Sequence, residues 1–523
     1  MKNRIAFIYS LALSLSLAGA AFAQNTPRPR TAASPTPTPP AVAASPTPTA
    51  TPVPVQTLAE LQATMRSRLL RPELRRGQVG IKIASLNSGK VIFEENAEKY
   101  FMPASNMKNF TVAAALERLT PDFRFVTSVY AAAPPDASGT VKGDLRIMGR
   151  GDVSISTAFN EGDYFKGLDA LADRIVAAGV KRIEGGLIGD ETYFRGNAIP
   201  GSWEWDDLQW YYGAEISALP LNDNAVDLVV QPGPAGYPCT VRLSPSNPVI
   251  QVINQCTTTA AGTRRTLRIE KRLERNIIEI TGSLPSGNIG FSGSVTVSRP
   301  AELFMALLKQ RLAEKGVTIT GQTRVVNTRS ETPAPETVEV AKLESAPLSL
   351  IAAKTMKPSQ NMYTETLLWT LGEELRKTAA DVPGGGSASS TSTADSSELG
   401  LTAVKNFLTG IGVAPDAVIQ HDGSGLSRHN LITPSSVVQL YTYMAKNSRF
   451  AQAWRDSLTI GGVDGTLRNR FTGTRAAANV RGKTGTIDQV SALSGYVTTA
   501  AGEQIVFSFI VNGVNTTKDR TNM

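Results

Sequence analysis

Ser105 and Lys108 stand three residues apart in "YFMPASNMKNFTV", a stretch that otherwise reads as buried. Pro103 favours a turn or helix start, which puts Ser105 in the first turn. Residues i and i+3 share a helix face, so the hydroxyl and the amine can touch. A serine hydroxyl is a weak nucleophile until a base takes its proton. Lysine can be that base only when neutral, and its ordinary pKa is about 10.4. Burial, a second cation and the positive end of a helix all lower it. A drop of about three units costs roughly 4 kcal/mol, within reach of a structured pocket. The pair therefore reads as an activated serine. Taken alone it more readily fits a snorkelling lysine beside a capping serine, since Ser-x-x-Lys arises by chance about once or twice in a chain of this length.

Two more stretches carry suitable groups. "KPSQNMYTE" holds Ser359 and Asn361 at a loop or helix boundary. The same Ser-x-Asn spacing recurs at Ser85–Asn87 and Ser286–Asn288, in turn contexts where both residues are common for backbone reasons. "VRGKTGT" places Lys483, Thr484, Gly485 and Thr486 in a strand between apolar strands. A lysine and a threonine beside a glycine suit a carboxylate docked against a bare strand edge, and also suit an ordinary protected edge. A Ser-His-Asp enzyme is disfavoured. "QHDGSGLSRHN" holds both histidines, His421 and His429, yet Ser424 lacks the Gly-x-Ser-x-Gly elbow. Two histidines are too few for a multi-histidine metal site, and no cofactor is implied.

The elements that must position these groups are legible from pattern. Lys2 and Arg4, an apolar run and "AFAQ" make residues 1–23 a secretory signal peptide, with no other run able to span a bilayer. Residues 24–56 form a Pro/Thr-rich leader without a core. "GQVGIKIASL" and "GKVIFEEN" read as a hairpin around Asn87–Ser88–Gly89. From 126 to 339 short strand-like runs alternate with Gly/Pro turns, as in "GDLRIMGRGD", "AVDLVVQPG" and "NIIEITGSL", and read as inserted β-rich units. Helices return near residue 340, interrupted by the low-complexity "GGGSASSTSTADSS". "AANVRGKTGT", "SALSGYVTTA" and "EQIVFSFIVNG" read as an antiparallel meander. The expected fold is an α/β (α+β sandwich) domain made of residues 57–125 and 340–523, with helices over an antiparallel sheet and a long insertion at 126–339. Cys239 and Cys256 can pair in an oxidising compartment. Apolar residues make up 41% of the chain, enough for real cores, and the net charge of +8 comes without a Lys/Arg stripe of the kind nucleic acid requires.

The three stretches, in this order and in these contexts, resemble penicillin-recognising serine enzymes. With "GDETYFRG", "WEWDDLQWYYGAEISALPLNDNAVDLVV", "DGSGLSRHNLITP" and "GGVDGTLRNRF", the chain from Thr57 onward resembles the penicillin-binding protein 4 type of D-alanyl-D-alanine carboxypeptidase/endopeptidase, a class C low-molecular-mass penicillin-binding protein. The long spacing from Ser105 to Ser359 fits this type better than class A β-lactamases. The resemblance implies a periplasmic peptidase acting on peptidoglycan stem peptides and acylated by β-lactams at Ser105. A serine β-lactamase and a silent cell-wall-binding protein are the alternatives. Lys108 would be the base, and Ser359, oriented by Asn361, would protonate the leaving amine. Lys483 would supply positive potential and Thr484 would bind the terminal carboxylate. The N–H groups of Ser105 and Thr486, flanking Gly485, would form the oxyanion hole. Trp203, Asp206 and Tyr211 would dock the peptide side chain, with Asp206 facing a diaminopimelate amine and Leu426 and Arg428 on the opposite wall; core packing is the alternative for the tryptophans. Departures from the type are Gly482 where alanine is frequent, a long Gly/Ser loop, and an end that leaves a final helix in doubt.

Overall fold

In the computed structural model, which describes residues 57–273, 275–327, 338–380 and 393–514, the expected hairpin forms. Gln78–Ser85 pairs antiparallel with Val91–Glu95, and Gly89 takes a φ of 76° at the turn, where a side chain would be strained. The signal segment, the leader, most of the Gly/Ser/Thr loop and the chain after Val514 lie outside the described residues. Cα packing divides the chain between Leu61 and Gln62, and the site lies wholly in the second unit.

The hairpin joins the three late strands in one six-stranded sheet, in the order Val91–Glu95, Gln78–Ser85, Gln504–Asn512, Val490–Thr498, Arg481–Ile487, Thr459–Ile460. Every neighbour in it is antiparallel. Alternation explains its two faces. Ile81, Ile83, Phe93, Ile505 and Phe507 enter one apolar cluster, while Ala84, Ala492, Tyr496, Val506 and Ile510 enter the main core. Two helices are buried nearly all round, as a central helix must be: Lys108–Leu119 and the first half of Asn361–Ala380. Helices Leu348–Met356, Ser396–Gly410, Pro434–Lys446 and Ala451–Ser457 pack into the same core.

Residues 126–344 build sheets of their own. A mixed five-stranded sheet runs Thr323–Val326, Leu187–Asp190, Leu145–Met148, Val126–Ala131, Val338–Glu344. The last two pair antiparallel, so the insertion leaves and rejoins the chain side by side, and Val338–Glu344 straddles the expected junction at 339/340. Two helices, Lys166–Ala177 and Pro300–Glu314, pack on this sheet through Leu168, Leu171, Ile175, Leu303, Phe304 and Leu307. The β-rich reading did not separate these helices from the surrounding strands. Smaller sheets enclose a third cluster that contains Cys239 and Cys256, which are joined as a disulfide.

Candidate active site

Burial of the helix that begins at Lys108 fixes the state of that lysine. Ser105 lies just before it, in a 3-10 turn over Ala104–Met107 rather than in the α-helix itself. The Lys108 side chain is completely buried. Its Nζ lies 3.0 Å from Ser105 Oγ, 2.6 Å from Asn361 Oδ1 and 2.7 Å from the Ser424 carbonyl oxygen. Burial drives its pKa down to about 7, while the Asp422 and Glu365 carboxyls pull the other way. A neutral amine has two N–H donors and one lone pair. Asn361 and Ser424 accept the two donors, which leaves the lone pair for the Ser105 hydroxyl.

Ser359 occupies the turn before Asn361–Ala380, at a φ of 70°. Lys483, also fully buried, donates to Ser359 Oγ at 2.8 Å and to the Thr484 carbonyl at 2.8 Å. Burial, with the neighbouring Lys108, pushes its amine well below the usual lysine range. Asn361 serves differently from expectation. Its Oδ1 takes Lys108 and its Nδ2 donates to the Tyr212 carbonyl at 2.8 Å, so it orients the first lysine rather than Ser359.

The lysine-bearing strand lies hard against the serine turn. A Cβ on Gly485 would stand 2.4 Å from the Pro103 carbonyl oxygen, 3.0 Å from Asn106 N and 3.1 Å from Ser105 N. Only glycine allows this approach. Asn106 staples the two pieces by donating to the Lys483 carbonyl at 3.0 Å and accepting from Ser494 Oγ at 2.6 Å. Gly482 is also required locally, since a Cβ there would meet the Ser494 carbonyl oxygen at 2.2 Å. The other side is held by the 459–467 loop. Thr466 Oγ1 lies 2.7 Å from Thr484 Oγ1, Thr466 N donates to the Lys357 carbonyl at 3.0 Å, and Lys357 pairs with Asp464 at 2.5 Å.

Asp422, next to His421 in the chain, is a scaffold. Buried, it accepts from Gly425 N (2.7 Å), Ser427 N (2.7 Å), Asn430 Nδ2 (2.8 Å) and Trp203 Nε1 (2.9 Å). Trp203 is thereby corrected from a wall of the groove to a core residue, because the residue is 8% exposed and its indole N–H is committed to Asp422. Asp206 and Tyr211 are exposed, and Leu426 is half-buried against the main core. Arg428 pairs with Glu204 at 3.1 Å and donates to the Asp488 carbonyl at 3.0 Å. Beside them burial, then Asp206 and Glu204, push the Asp207 carboxyl up to about 6. His421 and His429 are exposed loop residues. Sequence reading missed Asn106, Glu365 and Thr466. Glu365 had a usable signal, since it follows Asn361 by one helical turn.

The chain is similar to known proteins. A profile of the D-Ala-D-Ala carboxypeptidase 3 (S13) family matches residues 61–523. A D-alanyl-D-alanine carboxypeptidase of Actinomadura sp. (strain R39) is 34% identical over 467 residues, which cover 87% of this chain and 81% of that protein. The D-alanyl-D-alanine carboxypeptidase DacB of Haemophilus influenzae is 26% identical, over 84% of this chain and 86% of its own. The crystal structure of penicillin binding protein 4 (dacB) from Haemophilus influenzae has the same fold, with a TM-score of 0.72 at 24% identity over 88% of this chain and 94% of that one.

Proposed function

We propose that this chain, which belongs to the D-Ala-D-Ala carboxypeptidase 3 (S13) family, removes the terminal D-Ala of peptidoglycan stem peptides through an acyl-enzyme on Ser105. The observation that carries the reading is the buried Lys108 amine 3.0 Å from Ser105 Oγ, with both its N–H donors engaged elsewhere. Neutral Lys108 takes the hydroxyl proton as Ser105 Oγ attacks the D-Ala–D-Ala carbonyl carbon. The oxyanion is met by the N–H groups of Ser105 and Thr486, each such donor contributing about 3 kcal/mol to the barrier reduction. Ser359, held by Lys483, passes a proton to the leaving amine, and Thr484 binds the departing carboxylate. Water then attacks the ester and restores Ser105. A β-lactam acylates the same oxygen. The charged rim of Asp206, Asp207, Glu204 and Arg428 suits a zwitterionic diaminopimelate side chain, which extends the reading to cross-links as an endopeptidase substrate. The signal segment and the Cys239–Cys256 disulfide support a periplasmic setting. Among the described residues no helix is long and apolar enough to cross a membrane.

The test is covalent labelling by a fluorescent penicillin together with D-Ala release from a peptide ending in D-Ala-D-Ala. Wild type should do both, and Ser105→Ala neither. Equal labelling of the two proteins removes Ser105 from its role, and rapid penicillin turnover without D-Ala release replaces the peptidase with a β-lactamase.

A further inference from the structure

Glu365 is a buried acid that the reaction just described does not use. It lies one turn after Asn361 on the same helix, fully enclosed. Its Oε2 accepts from Gly423 N at 2.9 Å and its Oε1 from Ser424 N at 2.7 Å. The carbonyl of that same Ser424 is the group that accepts from Lys108 Nζ at 2.7 Å. The loop cannot retreat on its other side, because a Cβ on Gly425 would stand 1.9 Å from the Ala104 carbonyl oxygen. We infer that Glu365 is a positioning residue for the base: by clamping two successive peptide N–H groups it aims the Ser424 carbonyl at Lys108, and so aims the Lys108 lone pair at Ser105. Asn361 and Glu365 then act from one helix face on the same amine, the first directly and the second through the loop.

The ionisable groups facing Lys108 are Glu365 from the helix, Asp422 from the loop and Lys483 from the strand. Burial, then Asp422, push the Glu365 carboxyl up to about 8, while its hydrogen bonds to Ser424 and Gly423 oppose them. Around the Lys108 pKa near 7 the carboxyl is therefore mostly protonated, and it acts through its two hydrogen bonds rather than its charge.

The inference rests on Lys108 being the base, and the experiment separates the two. Penicillin acylation of the full chain is followed over a range of penicillin concentrations for wild type, Glu365→Gln, Gly423→Ala and Lys108→Ala. In Glu365→Gln an amide N–H₂ faces a peptide N–H, so acylation should slow about tenfold to a hundredfold, in the range of a misaligned base. The loss should fall on the acylation step itself, with the dissociation constant of the preceding penicillin complex within about threefold of wild type. Gly423→Ala places a Cβ 3.2 Å from Glu365 Oε2, so it should slow the same step. Wild-type acylation by Glu365→Gln, or a loss carried by weaker penicillin binding instead of the acylation step, overturns the inference. If Glu365→Gln does not fold, wild-type acylation by folded Gly423→Ala overturns it instead. Normal acylation by Lys108→Ala overturns the underlying reading, whatever the other variants do.

Discussion

Adding one methyl group at Gly485 tests whether close contact between the serine turn and the lysine-bearing strand is what makes the site work. The new Cβ would stand 2.4 Å from the Pro103 carbonyl oxygen, where ordinary contact begins at 3.4 Å. The strand must therefore back away from the turn by about 1 Å, because the obstacles are backbone atoms that no rotamer change can clear. Overpacking of this kind costs about 1–3 kcal/mol of stability. The same displacement separates Ser105 from Thr486 N and from Lys483, and a misplacement of about 1 Å costs on the order of 100-fold in rate. The assay is the second-order rate of fluorescent-penicillin acylation, with thermal melting as a control for folding. Gly485→Ala should stay folded with a lowered Tm and acylate about 100-fold more slowly. Acylation within threefold of wild type would refute the reasoning, since the contact would then be incidental to the chemistry.

Three further outcomes follow from titration and covalent structure. Burial holds the Lys108 pKa near 7, and the deprotonated amine is the active form, so the acylation rate should rise with pH through about 7, level off above it, and fall about tenfold per unit below; a flat profile from pH 5.5 to 8.5 would contradict this. Asp152 is buried, its Oδ2 has no hydrogen-bond partner among the described residues, and burial raises its pKa to about 6. Its folded form favours the proton, so its contribution is intact below the unfolded pKa near 4 and lost as pH rises through 6, at a cost approaching 3 kcal/mol. Asp152→Asn should therefore raise Tm more at pH 7.5 than at pH 4.5. The disulfide closes a sequence separation of 17 inside a cluster apart from the main core, so Cys239→Ser with Cys256→Ser should lose about 3 kcal/mol locally and leave the acylation rate unchanged.

The chemistry was legible wherever it is local. Ser105–Lys108 and Lys483–Thr486 are short spacings on single elements, and alternation marked the strands that carry or flank them. What escaped the sequence is long-range. Asn361 reaches Lys108 across 253 residues, and Trp203 reaches Asp422 across 219, and nothing in "KPSQNMYTE" or "WEWDD" encodes those partners. The resemblance placed Trp203 where a peptide side chain docks, and the fold shows its indole N–H donated to Asp422 instead. In the insertion, the apolar spacing Leu168, Leu171, Ala172, Ile175 marks a helix, but the strands on either side dominated the reading. His421–Asp422 drew attention for a triad, whereas Asp422 is needed for the backbone hydrogen bonds it gathers.

The seam between Gln78–Ser85 and Gln504–Asn512 has a consequence for biogenesis. Gln78–Ser85 finds one neighbour at once in Val91–Glu95 but the other only when Gln504–Asn512 arrives, and Met102 N reaches Asn512 Oδ1 across 410 positions. Until then a nascent or half-translocated polypeptide shows an unpaired, apolar edge that invites aggregation. Joining of these two strands is thus a late step in maturation, and a chain truncated before Gln504 would leave that edge of Gln78–Ser85 without its partner.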